Sequence, residues 1–90
     1  MTPCDQLVVE VVLVDVALDI VATVAAGQTL EVALLEDRYP AVLVGANRVG
    51  SIASGGRLSR LVECLRAGQK FVAFVLEVEG AYVRVRIGPT

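Results

Sequence analysis

Residues 44 to 58 read VGANRVGSIASGGRL, and Gly45, Gly50 and Ser51 match part of the phosphate-cradling pattern G-x-x-x-x-G-K-[ST]. The pattern needs a lysine after its second glycine, and Ser51 stands there instead. The glycines have a sufficient structural use as a hairpin loop over GANR and as the entry to a helix with Ser54 at its N-cap. A helix start can still hold an anion, with Arg57 and Arg60 beside it. Other chemistry is soon exhausted. The chain has no histidine, which removes Ser-His and Cys-His nucleophile pairs and histidine metal ligation. Cys4 and Cys64 form no C-x-x-C motif and are expected to be two free thiols in a reducing compartment. No catalytic residue, metal or cofactor is expected, and the chain reads as a binding module rather than an enzyme.

The strongest binding signal lies in the last hairpin. A two-residue turn at Glu79-Gly80 would set Val78 against Ala81, Leu76 against Val83, Phe74 against Val85 and Val72 against Ile87 as a buried apolar face. The opposite face then carries Tyr82, Arg84 and Arg86, with Phe71 beyond. An aromatic and two arginines along one strand suit single-stranded nucleic acid, where bases stack on rings and cations follow phosphates. The competing expectation is an ordinary solvated face, or one covered by the acidic N-terminal strand.

Charge is unevenly distributed around a net of −2. Residues 1 to 37 hold Asp5, Glu10, Asp15, Asp19, Glu31, Glu36 and Asp37 and no cation, whereas all eight cations follow, against Glu63, Glu77 and Glu79. Such asymmetry fits a nucleic-acid partner for one face and a different partner for the other. It equally fits a fold that interleaves the halves and neutralises the charges across strands.

These residues must be held by a small, aliphatic scaffold. Ninety residues, 56% hydrophobic and without tryptophan, make one domain over 1–90 with a core of Val, Leu, Ile and Ala. Residues 7 to 26 have the length of a membrane span, but Glu10, Asp15 and Asp19 interrupt them, and one acid near a bilayer centre costs roughly 2.5–3.5 kcal/mol. No cationic segment precedes the run, so a signal peptide is not expected either. The expectation is a cytoplasmic chain with no membrane partner. Strands are predicted over 7–16 and 18–24, as one long bent strand or two short ones, and over 29–36, 41–45 and 48–52, with a turn at 25–28 and Pro40 opening the strand at 41. Leu58, Leu61, Val62 and Leu65 recur at helical spacing, and Gly68 stops the helix, which is predicted at roughly 57–67.

The order of these segments resembles the HIRAN domain. The matching elements are AAGQTLEVALLED with Gly27 before Leu30 and Val32, the short strand Ala41 to Val44, the glycine step Val49-Gly50-Ser51-Ile52-Ala53, a helix, and Gly68 to Val75. The family's Tyr and Pro at the glycine step are Ser51 and Ala53 here, and its Asn-rich loop is shortened to EDRYPA. That family is a modified β-barrel related to OB and SH3-like folds, found beside DNA-repair helicases and nucleases. The resemblance implies binding of DNA 3′ ends, with Tyr39 and Arg48 as the residues that match that region.

The combined expectation is a mainly β, partly open HIRAN-like barrel of about six strands with one helix. Its leading role is single-stranded DNA or DNA-end binding in a repair or phage-defence setting, through Tyr39, Arg48, Arg57, Arg60, Tyr82, Arg84 and Arg86. The alternative is a protein-interaction module, as a homodimer or with a dedicated partner, because a long valine-rich strand over 8–16 invites pairing.

Overall fold

The computed structural model describes residues 3–36, 39–53 and 58–90. Among them, six antiparallel strands form one curled sheet: β1 (Val9–Val12), β2 (Thr29–Leu35), β3 (Tyr39–Val44), β4 (Asn47–Ser51), β5 (Phe71–Glu79) and β6 (Tyr82–Pro89). Their spatial order is β1-β6-β5-β2-β3-β4. Alternation of valines puts one face of each strand inside, so Val11, Val32, Val42, Val75, Val85 and Ile87 meet in a single aliphatic core. The fold is therefore mainly β and barrel-like, as expected from the strand pattern together with the family resemblance.

Curling brings the two ends of the sheet together. Leu13 still donates its N–H to Val83 O on β6 at 2.9 Å. Asp15 then adopts φ +50, a left-handed conformation that Asp tolerates better than most residues. The chain switches partners there: Val14 and Ser51 exchange backbone hydrogen bonds of 2.9 and 2.8 Å, and Ala17 N–H reaches Val49 O at 2.8 Å. This close approach requires Gly50. A Cβ there would stand 3.0 Å from Leu13 Cβ and 3.2 Å from Val14 O.

Residues 18–24, expected as a strand, instead form a helical turn, α1 (Leu18–Val21), followed by a hydrogen-bonded turn. Val21 and Val24, three apart, are buried together, so helical spacing wins over the β-branched composition once the chain has left β4. The predicted C-terminal helix is α2 (Leu58–Arg66), which ends at Gly68 (φ +97) with Gly68 N–H bonded to Leu65 O and Gln69 N–H to Cys64 O. Its buried residues are Leu61 and Cys64, with Leu58 and Leu65 partly covered. Ser54, the expected N-cap, lies outside the described residues.

The free-thiol expectation is overturned. Cys4 and Cys64 are joined in a disulfide, Cα–Cα 5.5 Å, which pins the N-terminal 3₁₀ turn Cys4–Gln6 to α2. The two residues lie 60 apart in the chain, so only the fold brings them together. The inference of a reducing compartment, which rested on free thiols, loses its basis. Among the described residues no helix is long and apolar enough to cross a membrane.

The terminal hairpin pairs as predicted but in another register. The turn is Gly80-Ala81, with Gly80 at φ +59 in the first central position, so Glu79 faces Tyr82 and Val78 faces Val83. Leu76 is then an extra residue in a bulge, after which Val75 faces Val85 and Ala73 faces Ile87. Phe71, Ala73 and Val75 are buried, whereas Phe74 is exposed, the reverse of the expected parity below the bulge. Both parities of 71–76 are apolar, so alternation there carries no signal. On β6 it does, and Val83, Val85 and Ile87 are buried as expected.

Candidate functional site

Two regions hold the residues with binding chemistry. The first is the outer face of β1, β6 and β5. Tyr82, Arg84 and Arg86 alternate outward along β6, flanked by Glu10 opposite Arg86 and Val12 opposite Arg84 on β1. On the other side, Phe74 lies opposite Arg86, Glu77 opposite Arg84 and Glu79 opposite Tyr82. This packing decides the electrostatics. Arg84 Nη1 donates to Glu10 Oε1, and Nη2 lies 3.5 Å from Glu77 Oε1. The hydrogen bond to Glu10, then the nearby negative charges, push the Arg84 guanidinium above its ordinary pKa. Its charge is matched on both sides. Around it stand exposed apolar groups: Val8 at 48%, Val12 at 39%, Phe74 at 42% and Tyr82 at 42% of their full surface.

The second region is a pocket of about 730 Å³ where the chain past β1 crosses the end of β4. The basic group in its described lining is Arg48. The half-buried Arg48 side chain donates through Nη1 to Asp15 O at 2.8 Å and to Ser51 Oγ at 3.1 Å. Both acceptors are neutral, and no carboxylate pairs with Arg48 among the described residues. Tyr39, 36% exposed, stands in the lining with it, and Val16, Ile52, Leu58 and Val62 supply apolar wall. The hydroxyl of Ser51 accepts from Arg48 and has no imidazole to activate it in a chain without histidine.

The seven residues expected to make one binding surface are thus divided. Tyr39 and Arg48 share the pocket; Tyr82, Arg84 and Arg86 share the outer face. Arg60 lies on α2, 3.9 Å from Glu63, outside the described pocket lining. Arg57 lies outside the described residues. Phe71, expected beside the arginines, is buried at 2% exposure, and Phe74 takes that outward place. Sequence reasoning missed Asp15, Val16, Leu58 and Val62 as pocket residues. Only the aspartate inside a valine run hinted at a break there, since Asp is among the residues that accept left-handed backbone.

Compared with known protein families, curated proteins and solved structures, the chain matches none. The HIRAN-like resemblance therefore rests on the quoted motifs alone.

Proposed function

We propose that this chain is a non-catalytic module that docks protein chains on the outer face of β1, β6 and β5, a second copy of itself being the simplest partner. The observation that carries the reading is Arg84, clamped between Glu10 and Glu77 in the middle of exposed Val8, Val12, Phe74 and Tyr82. An antiparallel sheet face turned to water is ordinarily polar, and this one adds exposed Val8, Val12, Phe74 and Tyr82 to its charged residues. Clustered exposed apolar groups with aromatic and arginine anchors are the composition of interface centres. The face carries both signs of charge, so a two-fold related copy can set Arg86 against a carboxylate such as Glu79. A phosphate backbone, in contrast, needs cations that are not already matched.

Light scattering at high micromolar concentration tests this directly. The wild type should be a dimer and Phe74→Glu a monomer with an unchanged far-UV spectrum. A monomeric wild type removes the self-docking reading. Single-stranded DNA is the second reading, favoured by Arg48 and Tyr39 away from this face. Anisotropy with a 3′-ended oligonucleotide that weakened on Tyr39→Ala and Arg48→Gln would support it, whereas weakening on Tyr82→Ala would return the outer face to nucleic acid.

A further inference from the structure

We infer that the pocket beside Arg48 is a binding site for a small, singly charged organic anion: a carboxylate on an apolar body. The donor geometry comes first. Arg48 Nη1 gives its two hydrogens to Asp15 O and Ser51 Oγ. A guanidinium has five N–H donors, so Nε–H and the pair on Nη2 remain, and that side of the fork matches the two oxygens of a carboxylate.

Electrostatics points the same way. The acceptors that hold Arg48 are a backbone carbonyl and a hydroxyl, which fix the guanidinium without cancelling its charge. Arg84 shows the opposite arrangement, with carboxylates as its holders. The Arg48 anchor is also rigid. Ser51 is buried at 8% exposure, and the Asp15 carbonyl is set by the left-handed turn and the Val14–Ser51 bridge. A cation fixed before the ligand arrives loses little freedom on binding.

The remainder of the site defines the ligand's body. Val14, Val16, Pro40, Ile52, Leu58 and Val62 line it, and its volume falls inside the roughly 300–1,000 Å³ of small-molecule sites. Its charge limits the head group. Among the described lining residues Arg48 is the one base and Asp15 the one acid, so the described part of the site presents a single cation to a head group. A monoanion with a short aliphatic or aromatic body fits both ends.

The test titrates the oxidised protein with octanoate, octan-1-ol and inorganic phosphate, followed by calorimetry and amide chemical shifts. Octanoate should bind and shift Val16, Ile52 and Val62, leaving Phe74 and Tyr82 unmoved. Octan-1-ol should bind roughly tenfold more weakly or worse, and phosphate should not bind, if a charge-assisted hydrogen bond sets the affinity. Arg48→Gln should lower octanoate affinity roughly ten- to a hundredfold by the same reasoning. Arg48 also ties Asp15 to Ser51, so that variant can lose its fold. Val62→Trp keeps the arginine, fills the apolar end, and should likewise weaken octanoate. Equal binding of octanoate and octan-1-ol overturns the assignment, as do shifts confined to the outer sheet face or no octanoate binding at all. Binding of a phosphate-ended oligonucleotide in place of octanoate overturns it in favour of a nucleic-acid end.

Discussion

Arg84 and Arg48 are the same side chain in opposite circumstances. Arg84 lies on an open sheet face, yet its charge is answered by Glu10 and Glu77. Arg48 is held beside a pocket by neutral acceptors, and no described carboxylate forms an ion pair with it. Position on the surface therefore says little about which cation can meet an anion. What decides it is the strand next door. β6 is paired to the acidic β1 on one side and to β5 on the other, which brings two glutamates to Arg84. β4 is paired to β3 and to the turn at Asp15, which offers Arg48 a carbonyl.

The largest effect is expected at the link that ties the N-terminal end to the pocket helix. The Cys4–Cys64 disulfide closes a loop of 60 residues, for which chain-entropy reasoning gives about 4 kcal/mol. The Cys4→Ala/Cys64→Ala variant should lose stability of that order in urea unfolding. An unchanged midpoint would show that packing of α2 alone holds it on the barrel.

Gly50 separates the two regions more selectively. Gly50→Val places a branched side chain where even a Cβ would be 3.0 Å from Leu13 Cβ, and it should cost about 1–3 kcal/mol as overpacking does elsewhere. The damage belongs to the closure behind the pocket. Amide exchange should rise around Val14, Val49 and Ser51 before it rises in β5 and β6, and uniform acceleration would contradict the local origin.

Smaller effects come from the sheet face. Phe74→Thr removes an exposed ring from a strand and should change stability by less than about 0.5 kcal/mol, as surface substitutions usually do. Its consequence should be confined to self-association, read by sedimentation. The smallest effect is electrostatic. Arg84 has its pKa raised, so the stability it brings is complete below the unfolded-state pKa and is lost only as pH rises through the higher folded value. No pH dependence from Arg84 should appear near neutrality, and Arg84→Met should leave the neutral-to-mildly-alkaline stability profile unchanged in shape. A new slope there would mean that Arg84 supports another titrating group.

Much of this was legible in residue order. The composition required an aliphatic core, and the β-branched runs pointed to strands. The alternation of Val83, Val85 and Ile87 with Tyr82, Arg84 and Arg86 oriented β6 correctly, and the leucine spacing with Gly68 located α2. Local rules suffice there, because each pattern contrasts apolar with polar at one period. They failed on β5, where Val72, Phe74 and Leu76 are as apolar as Phe71, Ala73 and Val75, and a bulge at Leu76 chose between them. They failed again at residues 18–24, where β-branched composition yielded to a helical turn.

The candidate sites divide in the same way. Tyr82, Arg84 and Arg86 were identifiable from the alternation along the last strand, and Tyr39 and Arg48 only from the family resemblance. Whether each cation was available was a tertiary matter. It depended on Glu10 reaching Arg84 across 74 residues, and on Asp15 O reaching Arg48 across 33. The sequence by itself determined an aliphatic β domain with a basic second half and one amphipathic helix, since those follow from composition and period. Only the folded chain decided the disulfide, the hairpin register, and which arginine is matched and which is not. Each of these is a pairing between segments remote in sequence, where geometry and not local preference selects the partner.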